Sequence, residues 1–243
     1  SRRRGGNGEP EPIDPARQLQ DWAQIIDQVA QKPYPFSEQP EKGLMPVMVA
    51  VDSGGKAGVT ERAYAFWKQA RALGFGQKII LIKGNARADG PRVQRTFPDS
   101  TGRQDRKANA RGEVPVYLLN TLILKDSLAA DLERKEPGPG YLHFPNWLGT
   151  WFYDELAAET RTAKGWQNLG NDRNEAFDLC VYNHAVALLL RFENIRWEAP
   201  PAWADPIRAA VDVATVAPSA APPRAPVAVP PRSAPRDAGG WGL

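Results

Sequence analysis

Three short apolar runs constrain this chain more than any other feature: PVMVAVD at 46–52, KIILIKG at 78–84 and VPVYLLN at 114–120. Each is too short for a typical helix and too continuously apolar for a strand with one wet face. Such strands need cover on both sides, which parallel pairing through helical crossovers supplies. The intervening text fits crossovers. After the first run, SGGKAG turns the chain and Thr60 can cap a helix with Ala63, Tyr64, Phe66, Trp67 and Ala70 inward, stopped by Gly74. After the third, Thr121 opens a helix through Leu124, Leu128 and Leu132. Upstream, Asp14-Pro15 reads as the cap and first turn of a helix carrying Leu19, Trp22, Ile25, Ile26 and Val29, ended by Pro33 and Pro35. Downstream, helices are predicted over roughly 150–161 and 173–192, the latter with Phe177, Val181, Ala185 and Leu188 on one face. The expectation is an α/β domain with a mostly parallel sheet.

The ends of the chain differ from its middle. Residues 1–12 are basic and rich in glycine and proline, and read as a flexible lead-in. Ten of the 23 prolines fall within 199–243, so that stretch reads as a disordered or polyproline-II tail. The folded domain is expected over 13–198. Residues 85–113 form a polar loop too long to be a mere connection. One cysteine, Cys180, excludes a disulfide scaffold and a cysteine-based zinc cluster, and fits a reducing compartment. Two histidines, His143 and His184, exclude a histidine-rich metal site. No apolar run is long enough to span a membrane, and SRRRGGNG lacks the core of a signal peptide. Ser1 in place of an initiator Met is what a fragment of a longer chain would show. The net charge of +3 permits a polyanionic partner without requiring one.

Several residues carry candidate chemistry. Asp52 closes a strand at the edge where α/β sheets bind ligands; the alternative is an Asp that caps its own turn. Ser53 beside it lacks a histidine in a triad-like context. Glu175 and Asp178 stand at i and i+3 on one helix face. They either complement the helix dipole or join Asp52 in an oxygen-donor cluster suited to Mg²⁺ or Mn²⁺. DSGGKAG matches neither phosphate-binding glycine fingerprint. The 85–113 loop carries Arg87, Arg92, Arg95, Arg103, Arg106, Lys107 and Arg111, an excess that either neutralises DNA phosphates or is simply solvated. Lys83, ending its strand, can direct a positive charge at a phosphate near the site. Trp147, Trp151, Phe152 and Tyr153 read as packing anchors.

In order, VAVDSGG, IKG, LKDSL, HFP, WFYDELAAETR and NEAFDLCVYNHAVAL resemble the nuclease region of the large terminase subunit of tailed bacteriophages, of the lambda-like GpA type. The resemblance covers about Asp14 to Leu190. It implies an RNase H-like fold, two Mg²⁺ or Mn²⁺ ions, cleavage of concatemeric DNA during packaging, and a host-cytoplasmic setting. Implied partners are double-stranded DNA, the small terminase subunit and the portal protein. Carried over by motif, Asp52 matches the Asp of "DSGG", and Glu175 and Asp178 match the acids of "NExxD". Asp178 is the better candidate metal ligand, and Glu159 matches the Glu of an "LTAE"-like segment. Lys83, Arg103, Arg106, Lys107 and Arg111 are the candidate DNA contacts. In the family a first acid precedes this set, on a strand beginning an antiparallel meander. Here a turn and helix follow Asp52, so Asp52 is expected to be the second acid, on the central strand, with the first strands of the fold lacking. A non-catalytic module that docks on DNA or portal is the alternative.

Overall fold

The computed structural model describes residues 2–4, 10–86, 89–98 and 112–216. A short antiparallel pair, β1 (Arg2–Arg4) and β2 (Pro10–Pro12), opens the chain, where a flexible lead-in was expected. Asp14 does start a turn, accepting from the Arg17 and Gln18 N–H groups, but the helix proper, α1, is Gln20–Ile25. Its end widens over Ile26–Ala30, where the Gln31 N–H reaches back to the Ile26 carbonyl. Strands β3 (Tyr34–Pro35) and β4 (Lys42–Leu44) follow, then β5 (Val49–Asp52), α2 (Val59–Ala72) and β6 (Ile79–Gly84). The edge strand β7 (Val93–Thr96) precedes β8 (Val116–Leu119) and α3 (Thr121–Leu132). The rest comprises α4 (Thr150–Leu156), β9 (Thr160–Thr162), β10 (Gly165–Gln167), α5 (Glu175–Leu189), α6 (Pro206–Ala209) and β11 (Val211–Asp212).

The main sheet has the order β5-β6-β8-β7, parallel across its first three strands and antiparallel at β7. The three apolar runs are thus its parallel strands. Period-two alternation sends their side chains to two cores. Ile79, Leu81, Val116 and Val51 meet Phe66 and Trp67 of α2 and Trp22 of α1 on one face. Ile80, Ile82 and Leu119 meet Leu124 and Leu128 of α3 and Phe177 and Val181 of α5 on the other. Ile79 to Ile82 are all buried, as a strand covered on both faces requires. At the start of α2, Gly58 takes φ +91° while a Cβ there would sit 2.9 Å from the Ala16 carbonyl oxygen. Only glycine fits both the angle and the contact.

Four expectations are corrected. Asp52 does not lie on the central strand: β5 is an edge of the sheet, and the interior strands are β6 and β8. The 85–113 segment is not wholly loop, because Val93–Thr96 adds a strand whose register pairs Arg95 with Tyr117. The chain does not become tail at 199: β11 pairs with β4, Val211 opposite Gly43, and Asp205 caps α6 through the Ile207 and Arg208 N–H groups. Backbone pairing holds this stretch where its composition offers little apolar surface. Residues 217–243 lie outside the described residues. Finally, Trp147, Trp151 and Tyr153 are not packed inside, being 77%, 59% and 43% exposed. Among the described residues no helix is long and apolar enough to cross a membrane.

Candidate active site at the carboxyl edge of the sheet

The three parallel strands end side by side, at Asp52, at Lys83-Gly84 and at Leu119-Asn120. Asp52 is exposed, and its Oδ1 accepts the Gly54 N–H at 2.8 Å, the turn-capping bond foreseen as its plainer role. Its other oxygen, Oδ2, accepts from the Tyr182 hydroxyl at 3.3 Å. Gly54 leaves room for this arrangement. A Cβ at that position would lie 3.1 Å from Asp52 Oδ1 and 3.8 Å from Lys83 Cγ. Lys83 is therefore exposed beside Asp52, on the next strand. Ser53 points inward; its hydroxyl is fully buried and donates to the Ile82 carbonyl at 2.9 Å, a packing role.

Helix α5 brings the other acids. Glu175, Asp178 and Tyr182 follow at spacings of three and four, so they share one face. Burial pushes the Tyr182 hydroxyl above its ordinary pKa, and the negative charges of Asp52, Asp178 and Glu175 push it further. A phenolate would have to form in a partly buried position against negative charge, so the hydroxyl stays a donor. Asp52 alone bonds this hydroxyl, while Asp178 and Glu175 lie on the same face of α5 and act on it through their charge. The sheet edge and the start of α5 meet there, although 123 or more residues separate them in sequence.

Glu159 belongs to a different arrangement. Lys125, buried in the second turn of α3, places Nζ 2.6 Å from Glu159 Oε1 and 2.9 Å from Asp178 Oδ1, and 5.1 Å from the Phe177 ring centroid. The Asn174 side chain donates to both Glu159 and Asp178. Nearby, Glu155 accepts the Ala176 N–H and pairs with Arg173 at 3.0 Å, anchoring the first turn of α5. Asp178 is the link between the two groups.

Hard oxygen donors are the chemistry that Mg²⁺ and Mn²⁺ take. As arranged, however, the residues do not fit a bound ion. Among the described residues no three His, Cys, Asp or Glu side chains converge to hold one, and an ammonium already stands between Glu159 and Asp178. Of the expected DNA contacts, Lys83 lies at this edge; Arg103, Arg106, Lys107 and Arg111 lie outside the described residues. Two other cations of that loop are engaged elsewhere, Arg92 with Glu193 at 3.6 Å and Arg95 over the Phe97 ring.

Lys125, Tyr182, Asn174 and Glu155 were not singled out from the sequence. Tyr182 had a signal, standing four residues after Asp178 and so on its face. Lys125 follows Leu124 directly in an apolar helix, a weak sign of a buried charge. Its partners come from 34 and 53 residues away and have no local signature.

No curated protein and no solved structure matches the chain. The family model described as terminase large subunit gpA, endonuclease domain, matches residues 10–197, which contain every part of the carboxyl-edge site. As that match covers most of its length, the chain belongs to the gpA terminase large subunit endonuclease family.

Proposed function

We propose that this chain hydrolyses phosphodiester bonds in concatemeric phage DNA during packaging, at the carboxyl edge of its parallel sheet. The carrying observation is that Tyr182 of α5, on one face with Glu175 and Asp178, bonds Asp52 at the end of β5, within the region matched by the endonuclease family. The fold is read as RNase H-like, with β5, β6 and β8 as its parallel strands. In this reading Asp52, fixed through one oxygen by the Gly54 N–H, presents its exposed carboxylate to the reacting phosphate's surroundings. Glu175 is exposed at the start of α5 and adds charge on the same side. Lys83 offers a phosphate a positive partner one strand away. Lys125 bridges Glu159 and Asp178 and so offsets the repulsion between two close carboxylates; it acts as a positioning residue. Mg²⁺ or Mn²⁺ dependence is part of the proposal, but the acids described here do not by themselves assemble a two-ion site. Double-stranded DNA, the small terminase subunit and the portal are the proposed partners.

The test is cleavage of supercoiled plasmid by the 243-residue chain with Mn²⁺, Mg²⁺ or EDTA. Slow, cation-dependent nicking is expected, because the acid set is short of a convergent trio. No nicking under any condition, with DNA binding retained, would favour a docking module instead. Fast cutting in EDTA would contradict the metal-dependent reading.

A further inference from the structure

A second feature lies across Lys125 from the acids. A cavity of about 430 Å³ is lined by Thr121, Leu122 and Lys125 of α3, by Arg161, Lys164 and Trp166 of the β9–β10 hairpin, and by neighbouring small residues. None of its lining residues is acidic. Three cations from two separate elements thus share one cavity, in a protein whose nearby sheet edge gathers carboxylates.

The hairpin is built to hold its cations in place. Gly165 takes φ +103° to make the tight turn, and the Thr162 hydroxyl accepts the Lys164 N–H while donating to the Gly165 carbonyl. Asp126 fixes Arg161 from α3 with bonds of 2.7 and 3.3 Å, and also accepts the Trp166 indole N–H at 2.7 Å. Asp126 therefore offsets much of the Arg161 charge. Lys164 is exposed and has no carboxylate partner among the described residues. A cation held at a hairpin tip with no internal partner is free to meet an external anion.

We infer that this cavity seats a backbone phosphate of the DNA strand being cut, with Lys164 as its principal contact; Arg161 and Lys125, already paired with Asp126 and with Glu159 and Asp178, line the seat without adding free charge. Lys125 forms the wall between cavity and acids, so a strand lying here passes one side chain from Asp178. The inference rests on the endonuclease reading for its ligand, and it places DNA contacts outside the arginine-rich loop.

The test is fluorescence anisotropy of a fluorescein-labelled 20-base-pair duplex, titrated with the full chain at several salt concentrations. Lys164→Ala, Lys164→Glu and the distant exposed Lys135→Ala are compared with the parent. Lys164→Ala is expected to weaken binding about three- to tenfold and to flatten the slope of log K against log salt by ~0.9, the release of one counterion. Lys164→Glu should weaken it further, and Lys135→Ala should do nothing. Unchanged affinity and slope in both Lys164 variants, or an equal effect of Lys135→Ala, would overturn the seat. So would a parent protein that binds no DNA. Plasmid cleavage by the same samples keeps the two readings apart. A Lys164 effect on binding without cutting in the parent would uphold the seat while the nuclease reading fails; cutting with no Lys164 effect would do the reverse.

Discussion

Asp52 and Glu159 both stand in segments that resemble the family's acidic motifs, yet they occupy opposite kinds of surroundings. Asp52 is exposed, and both its protein partners are uncharged donors, a backbone N–H and a phenol. The Glu159 side chain is 6% exposed and is held by the buried Lys125 ammonium and an amide. An exposed carboxylate without a cation retains its charge for a ligand. A buried one paired at 2.6 Å has spent it on the fold. Matching a motif therefore says where an acid stands, and its surroundings say what it can do. Asp178 sits between these cases, 30% exposed and bonded to Lys125, with its charge also raising the Tyr182 pKa.

The comparison breaks most visibly at Lys125. Lys125→Met keeps the length of the side chain but leaves Glu159 and Asp178 without their counter-charge, and is expected to cost about 3–5 kcal/mol of stability. Urea denaturation measures it; a loss below about 1 kcal/mol would mean that the pair is solvated. Glu155→Ala should cost less, roughly 1–3 kcal/mol, because one charge-assisted bond to the start of α5 is lost while Arg173 remains in water. Its thermal transition should move in the same direction as that of Lys125→Met, by a smaller amount.

On the Asp52 side the expected effects are spectroscopic more than energetic. The folded protein holds the Tyr182 proton longer than the unfolded chain does, since burial and then the surrounding carboxylates raise its pKa. Protons bound in excess by the folded state make stability fall as pH rises past about 10, the ordinary tyrosine value. Absorbance titration at 295 nm should show a late-ionising component that is missing in Tyr182→Phe. An unchanged titration curve in that variant would remove Tyr182 from the acid group.

What the sequence made legible follows the same division. The parallel strands, α2, α3 and α5 could be read because runs of branched apolar residues and a helical period are local signals. Strand β7 could not: VQRT is polar, and it becomes a strand by borrowing the free edge of β8. Nor could the β9–β10 hairpin, which the reading of a helix to 161 covered; α4 stops at Leu156 and Gly165 makes a turn that only the backbone angle reveals. Strand β11 lay hidden in a proline- and alanine-rich stretch, since pairing with β4 depends on a partner 168 residues away. The acids themselves were legible by motif. That Glu159 is neutralised was not, because Lys125 reaches it only through tertiary packing.

The most direct measurement sets Asp52→Asn against Glu159→Gln, each scored for thermal stability and for Mn²⁺-dependent nicking of plasmid. Asp52→Asn removes an exposed charge and should leave stability within about 0.5 kcal/mol of the parent while abolishing nicking. Glu159→Gln should lower stability measurably and leave residual nicking in the molecules that remain folded. The contrary result is nicking that survives Asp52→Asn, or that vanishes in a fully stable Glu159→Gln; either would place the chemistry at the Lys125 network and not at the exposed carboxylate of β5.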